Sequence, residues 1–221
     1  MTIIRRIHQI FFRFPGGRAL EDFPVFVRSR EAYRSMRGWK YKLWGERDID
    51  RLCRKRYPAL WAIYRSLPHP ISKVDLAKYM VDDAFGGVVS DLDVLPRCRS
   101  LDEIARGAKY VFDRCSRRGV VANDFFYVGR QGLPGIFAYF ARNLKRVNAI
   151  PAYEQRKMRY VFQTTGPDFF TRYLKRTGLA KYTRALSNRR FLDPRQRHRN
   201  VRARGAAIDV IHHLSWAKHV R

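Results

Sequence analysis

Acidic residues are scarce in this chain: 19 Asp and Glu stand against 46 Lys and Arg among 221 residues, a formal net charge of +27. That excess is extreme for an ordinary soluble enzyme and asks for an anionic partner: nucleic acid, a phospholipid surface or phosphorylated substrates. Cysteine is scarce as well. Cys53, Cys98 and Cys115 are odd in number and lack zinc-type spacing, so they read as free thiols and suit a reducing compartment. Long apolar runs are missing. The N-terminus, Met1-Thr2-Ile3-Ile4-Arg5-Arg6-Ile7, is broken by a charged pair, and no stretch approaches the roughly 20 apolar residues of a spanning helix. No signal peptide is visible, so the expectation is a cytoplasmic protein, soluble or peripheral at a membrane surface. Internal repeats, Ser/Gly linkers and a clear domain boundary are also missing. With 46% hydrophobic residues the chain can bury one sizeable core, and one α/β domain is expected.

What is present centres on Asp91-Leu92-Asp93, entered through Phe85-Gly86-Gly87-Val88-Val89-Ser90. Two carboxylates at i and i+2 on an extended segment point the same way and can share one divalent cation. A cation held by two protein oxygens keeps positions open for the phosphates of a nucleotide. The glycine pair allows a tight turn, and Val88-Val89 reads as the start of a buried strand. Two acids at this spacing are more often a solvated strand end than a metal site. The Gly-Gly entry and the segments around it reverse that preference.

Along the chain, residues 7–12 read as a buried strand closed by Phe14-Pro15-Gly16-Gly17. A helix containing Ser29 to Tyr33 follows, then Trp39 to Trp44 alternates with period two as a second strand, and a helix spans about Asp48 to Tyr57. Another helix begins near Tyr64 or Ile71. Ser72 to Ala84 has helical spacing, with Ser72 at the N-cap, and ends at Gly86. Strand, helix, strand, helix, strand is a parallel three-layer pattern whose ligands sit at the carboxyl ends of the strands. Further on, Leu101 to Arg106, Leu133 to Leu144 and Phe169 to Arg176 read as helices. Lys109 to Phe112, Val120-Val121 and Ala206 to Ile211 read as strands, and Arg189 to Arg204 as an Arg-dense loop.

In that order of segments the chain resembles the D-x-D glycosyltransferases of family 32, the fungal α-1,6-mannosyltransferase type. The catalytic domains of glucosylating clostridial toxins are more distant relatives. Five stretches carry the resemblance: Ile7-His8-Gln9-Ile10-Phe11, Trp39 to Trp44 with Asp48, Ser72 to Asp93, Thr165-Gly166-Pro167, and His212-His213-Leu214-Ser215-Trp216. The third is the most specific, because Asp75 precedes Asp91 by the family's interval. The resemblance implies a single GT-A-type domain with a Rossmann-like, mostly parallel sheet flanked by helices. Residues 1–95 would form the nucleotide-sugar half and residues 96–221 the acceptor half. It implies a metal-dependent, retaining transfer from a UDP- or GDP-sugar to a glycan, lipid-linked or protein acceptor. Asp93 would bind Mn²⁺ or Mg²⁺ directly, Asp91 would contact the metal shell and the ribose, and Asp75 would accept hydrogen bonds from sugar hydroxyls. Lys78 stands where the family usually has Arg, and keeps the charge without the bidentate fork. Phe11 stands for the family's Trp and can stack on the nucleobase. Asn123 falls at a donor-pocket position, Ser215 and Trp216 match a closing flap, and His212 would add a metal ligand or phosphate donor.

Each of these residues also has a plainer reading. His8 in an apolar strand is more often a satisfied core histidine, and that reading is preferred. Asp75 could be an early-helix acid favoured by the dipole, although its interval to Asp91 favours function. Trp39, Trp44 and Trp61 read as core, His213 as structural, and His212 as evenly balanced. Gly166-Pro167 could be only a turn. Two rival functions remain open: a basic nucleic-acid-binding protein and an inactive glycosyltransferase fold. Nucleic acid is the less favoured partner, since no RNP, KH, zinc or helix-turn-helix signature is present and three acids at Asp75, Asp91 and Asp93 would have no use. The charge is better explained by peripheral contact with an anionic membrane through the Arg189 to Arg204 segment.

Overall fold

The computed structural model describes residues 2–13, 17–115, 119–149, 158–191 and 205–212. In chain order the elements are β1 (Arg6–Ile10), α1 (Pro24–Arg34), β2 (Lys40–Trp44), α2 (Glu46–Arg56), α3 (Pro58–Ser66), α4 (Pro70–Phe85), β3 (Gly87–Ser90), β4 (Val94–Pro96), α5 (Asp102–Ala105), β5 (Tyr110–Arg114), β6 (Val121–Val128), α6 (Ile136–Asn148), α7 (Met158–Thr164), α8 (Pro167–Arg176), β7 (Thr183–Arg184), β8 (Ser187–Phe191) and β9 (Ile208–His212).

A six-stranded sheet has the order β2-β1-β3-β6-β5-β7, in which β6 alone runs against the rest. The sheet is therefore mostly parallel, and helices cover one face. A second sheet, β4-β9-β8, closes over the other face with α1 and α5. β1 is buried along Ile7 to Ile10, as suits a strand with neighbours on both sides. β2 lies at the edge, and its Lys40 and Lys42 face water, which discourages pairing with another chain.

α4 positions the site. It is buried nearly all round because it lies between β1 and β3 on one side and α2, α3 and α7 on the other. Ser72, Asp75, Lys78 and Asp82 recur at helical spacing and form a polar stripe along this otherwise apolar helix. The helix stops at Gly86, and both glycines there have positive φ, 60° and 104°. A side chain at Gly87 would strike the Arg6 carbonyl of β1, so the pair serves close backbone approach as well as the turn.

Several expectations need correction. Ser72 is not the N-cap: Pro70 opens α4, and Ser72 lies inside the helix with its hydroxyl buried. The helix expected near Tyr64 or Ile71 is two helices, each opened by proline. The Val120-Val121 strand is the long β6. Arg189 does not belong to a loop but sits in β8, only 2% exposed, so it cannot face a membrane; residues 192–204 lie outside the described residues. Among the described residues no helix is long and apolar enough to cross a membrane.

Candidate active site

Asp91 and Asp93 do not lie on an extended strand. β3 ends at Ser90, and Asp91 to Val94 form a turn in which the Val94 N–H donates to the Asp91 carbonyl at 3.2 Å. Leu92 packs into a small apolar cluster with Leu20 and Phe26, while both acids remain partly open to solvent. The turn is tied to the fold from two directions. The Gln9 carboxamide donates to the Asp91 carbonyl at 3.2 Å and to Ser29 Oγ at 2.9 Å, and Ser29 donates onward to the Val94 carbonyl at 2.5 Å. The Asp91 N–H donates to the Asp124 carbonyl at 2.7 Å, extending the β3–β6 ladder by one rung.

Behind this turn stands Lys78, one turn along α4 from Asp75 and 3% exposed. Its ammonium lies 3.1 Å from Asp75 Oδ1, 2.6 and 2.9 Å from the two Asp91 oxygens, and 3.3 Å from the Asn123 carbonyl. A lysine has three N–H donors, so protein oxygens already engage them all. Asp75, 5% exposed, accepts further bonds from Asn123 Nδ2 at 2.9 Å and Thr165 Oγ1 at 3.3 Å. Asp75, Lys78, Asp91, Asn123 and Thr165, distant in sequence, thus converge at the carboxyl end of β3. Gly166 lets the α7–α8 turn close tightly on α7, since a side chain there would lie 3.0 Å from Phe162 Cα and 3.2 Å from the Val161 carbonyl.

Burial alone would lower the Lys78 ammonium, but Asp91 and Asp75 outweigh it and hold the group above its ordinary value. Burial raises the Asp91 carboxyl, helped by the charges of Asp93 and Asp124, while Lys78 pulls it back down. The cluster therefore carries less negative charge than its carboxylates suggest. Asp91 and Asp93 offer oxygen donors, the kind that Mn²⁺ and Mg²⁺ take. Among the described residues no three His, Cys, Asp or Glu side chains are grouped to hold a metal ion.

A second ionic cluster, which sequence reasoning missed, adjoins the first. Arg189 of β8 donates from Nη1 to Asp124 Oδ2 at 2.6 Å, from Nη2 to Asp124 Oδ1 at 3.2 Å, and from Nη2 to Asp113 Oδ2. Asp113 also accepts from Ser187 Oγ at 2.6 Å and the Leu186 N–H at 3.0 Å. The β5–β6 register shifts between Phe112 and Arg114, which breaks the strict alternation of β6. Asn123 therefore turns toward α4, and Asp124 toward the second sheet. The signal available was the acidic pair Asp113 and Asp124 in an acid-poor chain, although nothing local pointed to Arg189.

The other expected residues divide. Asn123 joins the cluster directly. Phe11 is half-buried against the Leu20–Phe26–Leu92 cluster under the Asp91–Val94 turn, beside the acids rather than among them. The Ile211 N–H donates to the Asp93 carbonyl at 2.8 Å, which brings the His212 backbone near that turn; its side chain lies outside the described residues, as do Ser215 and Trp216. His8 is a core histidine: Nε2 donates to the Gly86 carbonyl at 3.1 Å, Nδ1 accepts from Trp44 Nε1 at 3.2 Å, and burial holds it down at about 4. Trp39 and Trp44 are buried. Trp61 is half-buried under the guanidinium groups of Arg54 and Arg65.

No family profile matches the chain. Over 90 residues it is 29% identical to inositol phosphoceramide mannosyltransferase 1 of Schizosaccharomyces pombe, a match covering 40% of this chain and 27% of that relative's length. Among solved structures it is similar to the PaToxG glycosyltransferase, with a TM-score of 0.56, 14% identity, and coverage of 79% of this chain and 70% of the other. The chain therefore has a GT-A-type glycosyltransferase fold, a mixed α/β domain with a mostly parallel central sheet.

Proposed function

We propose that this protein is a metal-dependent glycosyltransferase that moves one sugar from a UDP- or GDP-sugar to an acceptor hydroxyl, with retention of anomeric configuration. The observation that carries this reading is the convergence of Asp75, Lys78 and Asn123 on the Asp91–Asp93 turn at the carboxyl end of β3. The fold likeness and the partial match to a mannosyltransferase support it.

Asp93, with Asp91 in the outer shell and His212, which follows the Ile211 that bonds the Asp93 carbonyl, would hold Mn²⁺ or Mg²⁺, which neutralises the leaving diphosphate when bound. Asp75 accepts donor-sugar hydroxyls: a carboxylate has about four lone-pair sites, and three are used here, so one remains for substrate. Lys78 acts through charge, because its donors are spent on Asp75, Asp91 and Asn123. It holds both carboxylates in place before the donor arrives, so no reorganisation is needed during reaction. The proton of the acceptor hydroxyl passes to the departing phosphate on the same sugar face, which requires positioning rather than a protein base. By the family resemblance Phe11 would stack on the nucleobase, and Ser215 and Trp216 would contact the diphosphate. The acceptor is a glycan, lipid-linked or protein hydroxyl. The relative named for inositol phosphoceramide and the +27 charge favour a lipid-borne acceptor at an anionic membrane.

Incubation with a panel of UDP- and GDP-sugars and Mn²⁺ tests this reading. Release of nucleotide diphosphate from one or a few donors is expected. A basic binding protein would release none.

A further inference from the structure

The Asp113–Arg189–Asp124 cluster needs an explanation of its own. A buried ion pair is no bargain for stability, since desolvating the charges costs about as much as their attraction returns. This one joins three strands from two sheets: Asp113 of β5, Asp124 of β6 and Arg189 of β8. Arg189 holds Asp124 through both carboxylate oxygens, which fixes the direction of that residue as well as its place.

What Asp124 and its neighbour do next is the informative part. The Asp124 carbonyl takes the Asp91 N–H at 2.7 Å, so it sets where the acidic turn leaves β3. The Asn123 carbonyl accepts from Lys78 Nζ at 3.3 Å, and the Asn123 side-chain amide donates to Asp75 Oδ1 at 2.9 Å. Every member of the Asp75–Lys78–Asp91 cluster is thus tied either to Asp124, which Arg189 holds, or to Asn123, its neighbour in the chain. The anchoring is needed because β6 is irregular here: the shifted β5–β6 register leaves Asn123 and Asp124 without a regular ladder on the β5 side.

We propose that Arg189 is a positioning residue for sugar transfer: by clamping Asp124 against Asp113, it fixes the irregular bend of β6 and so the placement of Asp91 and Lys78. The inference rests on the glycosyltransferase reading for its catalytic part, while its structural part stands by itself. The fork is essential, because a lysine at 189 keeps the charge but cannot hold both Asp124 oxygens in one plane.

Two measurements test it. In the first, the unfolding midpoints of Arg189→Lys, Lys78→Met and the double variant are compared by thermal denaturation. Coupled sites give a double-variant loss clearly smaller than the sum of the single losses, whereas independent sites add. Additive losses overturn the proposal. The second measures the Mn²⁺ concentration for half-maximal donor hydrolysis. Arg189→Lys is expected to raise it by about tenfold, because Asp91 is displaced. A variant that merely lost folded protein would lower the maximal rate and leave that concentration unchanged, and an unchanged value in a folded variant also overturns the proposal. If the wild type hydrolyses no nucleotide sugar, the glycosyltransferase reading fails and the unfolding comparison alone decides whether the clamp exists.

Discussion

Lys78→Met is the sharpest perturbation of the cluster. The ammonium and Asp75 are both almost fully enclosed, while the Asp91 side chain is 32% exposed. Methionine fills a similar volume but leaves two carboxylates facing each other without a cation. Removing one partner of a buried ion pair typically costs about 3–5 kcal/mol. Access of water to Asp91 and the Asn123 and Thr165 bonds to Asp75 place the expected loss at the lower end, about 3 kcal/mol. For a chain of this size each kcal/mol moves the midpoint by about 2–4 °C, so Lys78→Met should melt about 6–12 °C lower at pH 9.5. The loss should also shrink with acidity. Burial already raises the Asp91 carboxyl to about 8, and removing Lys78 raises it further, so the variant takes up this proton at higher pH than the wild type and the repulsion is relieved as pH falls through that range. Calorimetry at pH 9.5 and 7.5 reads both effects. A shift under about 2 °C at pH 9.5, or a loss that grows at pH 7.5, would refute the reasoning.

Two further tests concern buried titratable groups outside the site. Asp82 lies on the same stripe of α4, 0% exposed, with neither oxygen hydrogen-bonded, and burial raises its pKa well above the usual carboxylate range. The folded state then holds this proton more tightly than the unfolded chain, so stability declines as pH rises from about 4 toward the raised value. Asp82→Asn should flatten that decline in melting curves across pH 4 to 9, and parallel curves would disprove the assignment. His8 has the opposite sign. Held at about 4 against about 6.5 when unfolded, it should cost up to about 3 kcal/mol of stability as pH falls through that interval. His8→Leu should be weaker at pH 8 through its lost hydrogen bonds but less acid-sensitive; an unchanged acid transition would show that His8 does not drive it.

The order β1–α1–β2–α2–α4–β3 was legible because buried strands, amphipathic helices and the Gly86-Gly87 stop each leave a local pattern. Asp91 is marked by the local D-x-D pattern, Asp75 and Asn123 through the family resemblance, and the structure brings the three together around Lys78. The rest was hidden for identifiable reasons. The bond from Val94 N–H to the Asp91 carbonyl that folds the D-x-D segment into a turn depends on support from Gln9 and Ser29, far away in sequence. β6 looked like two residues of strand because its register shift breaks period-two alternation around Asn123. Arg189 sat in a basic stretch that reads as solvated, and only the packing of β8 beside β5 and β6 reveals its two acidic partners. Ser72 has a capping residue's chemistry, yet Pro70 set the start of the helix two residues earlier.

The measurement that bears most directly on the central claim is hydrolysis of UDP- and GDP-sugars by the wild type and Asp93→Ala, each with Mn²⁺ and with EDTA. Asp93 lies in a turn and is partly exposed, so its loss should leave the unfolding midpoint nearly unchanged. The account predicts hydrolysis of at least one donor by the wild type, and a fall of well over tenfold, more than about 1.4 kcal/mol of barrier, on either chelation or substitution. A folded Asp93→Ala that keeps its rate within about tenfold, or a wild type inert toward every donor, would contradict it.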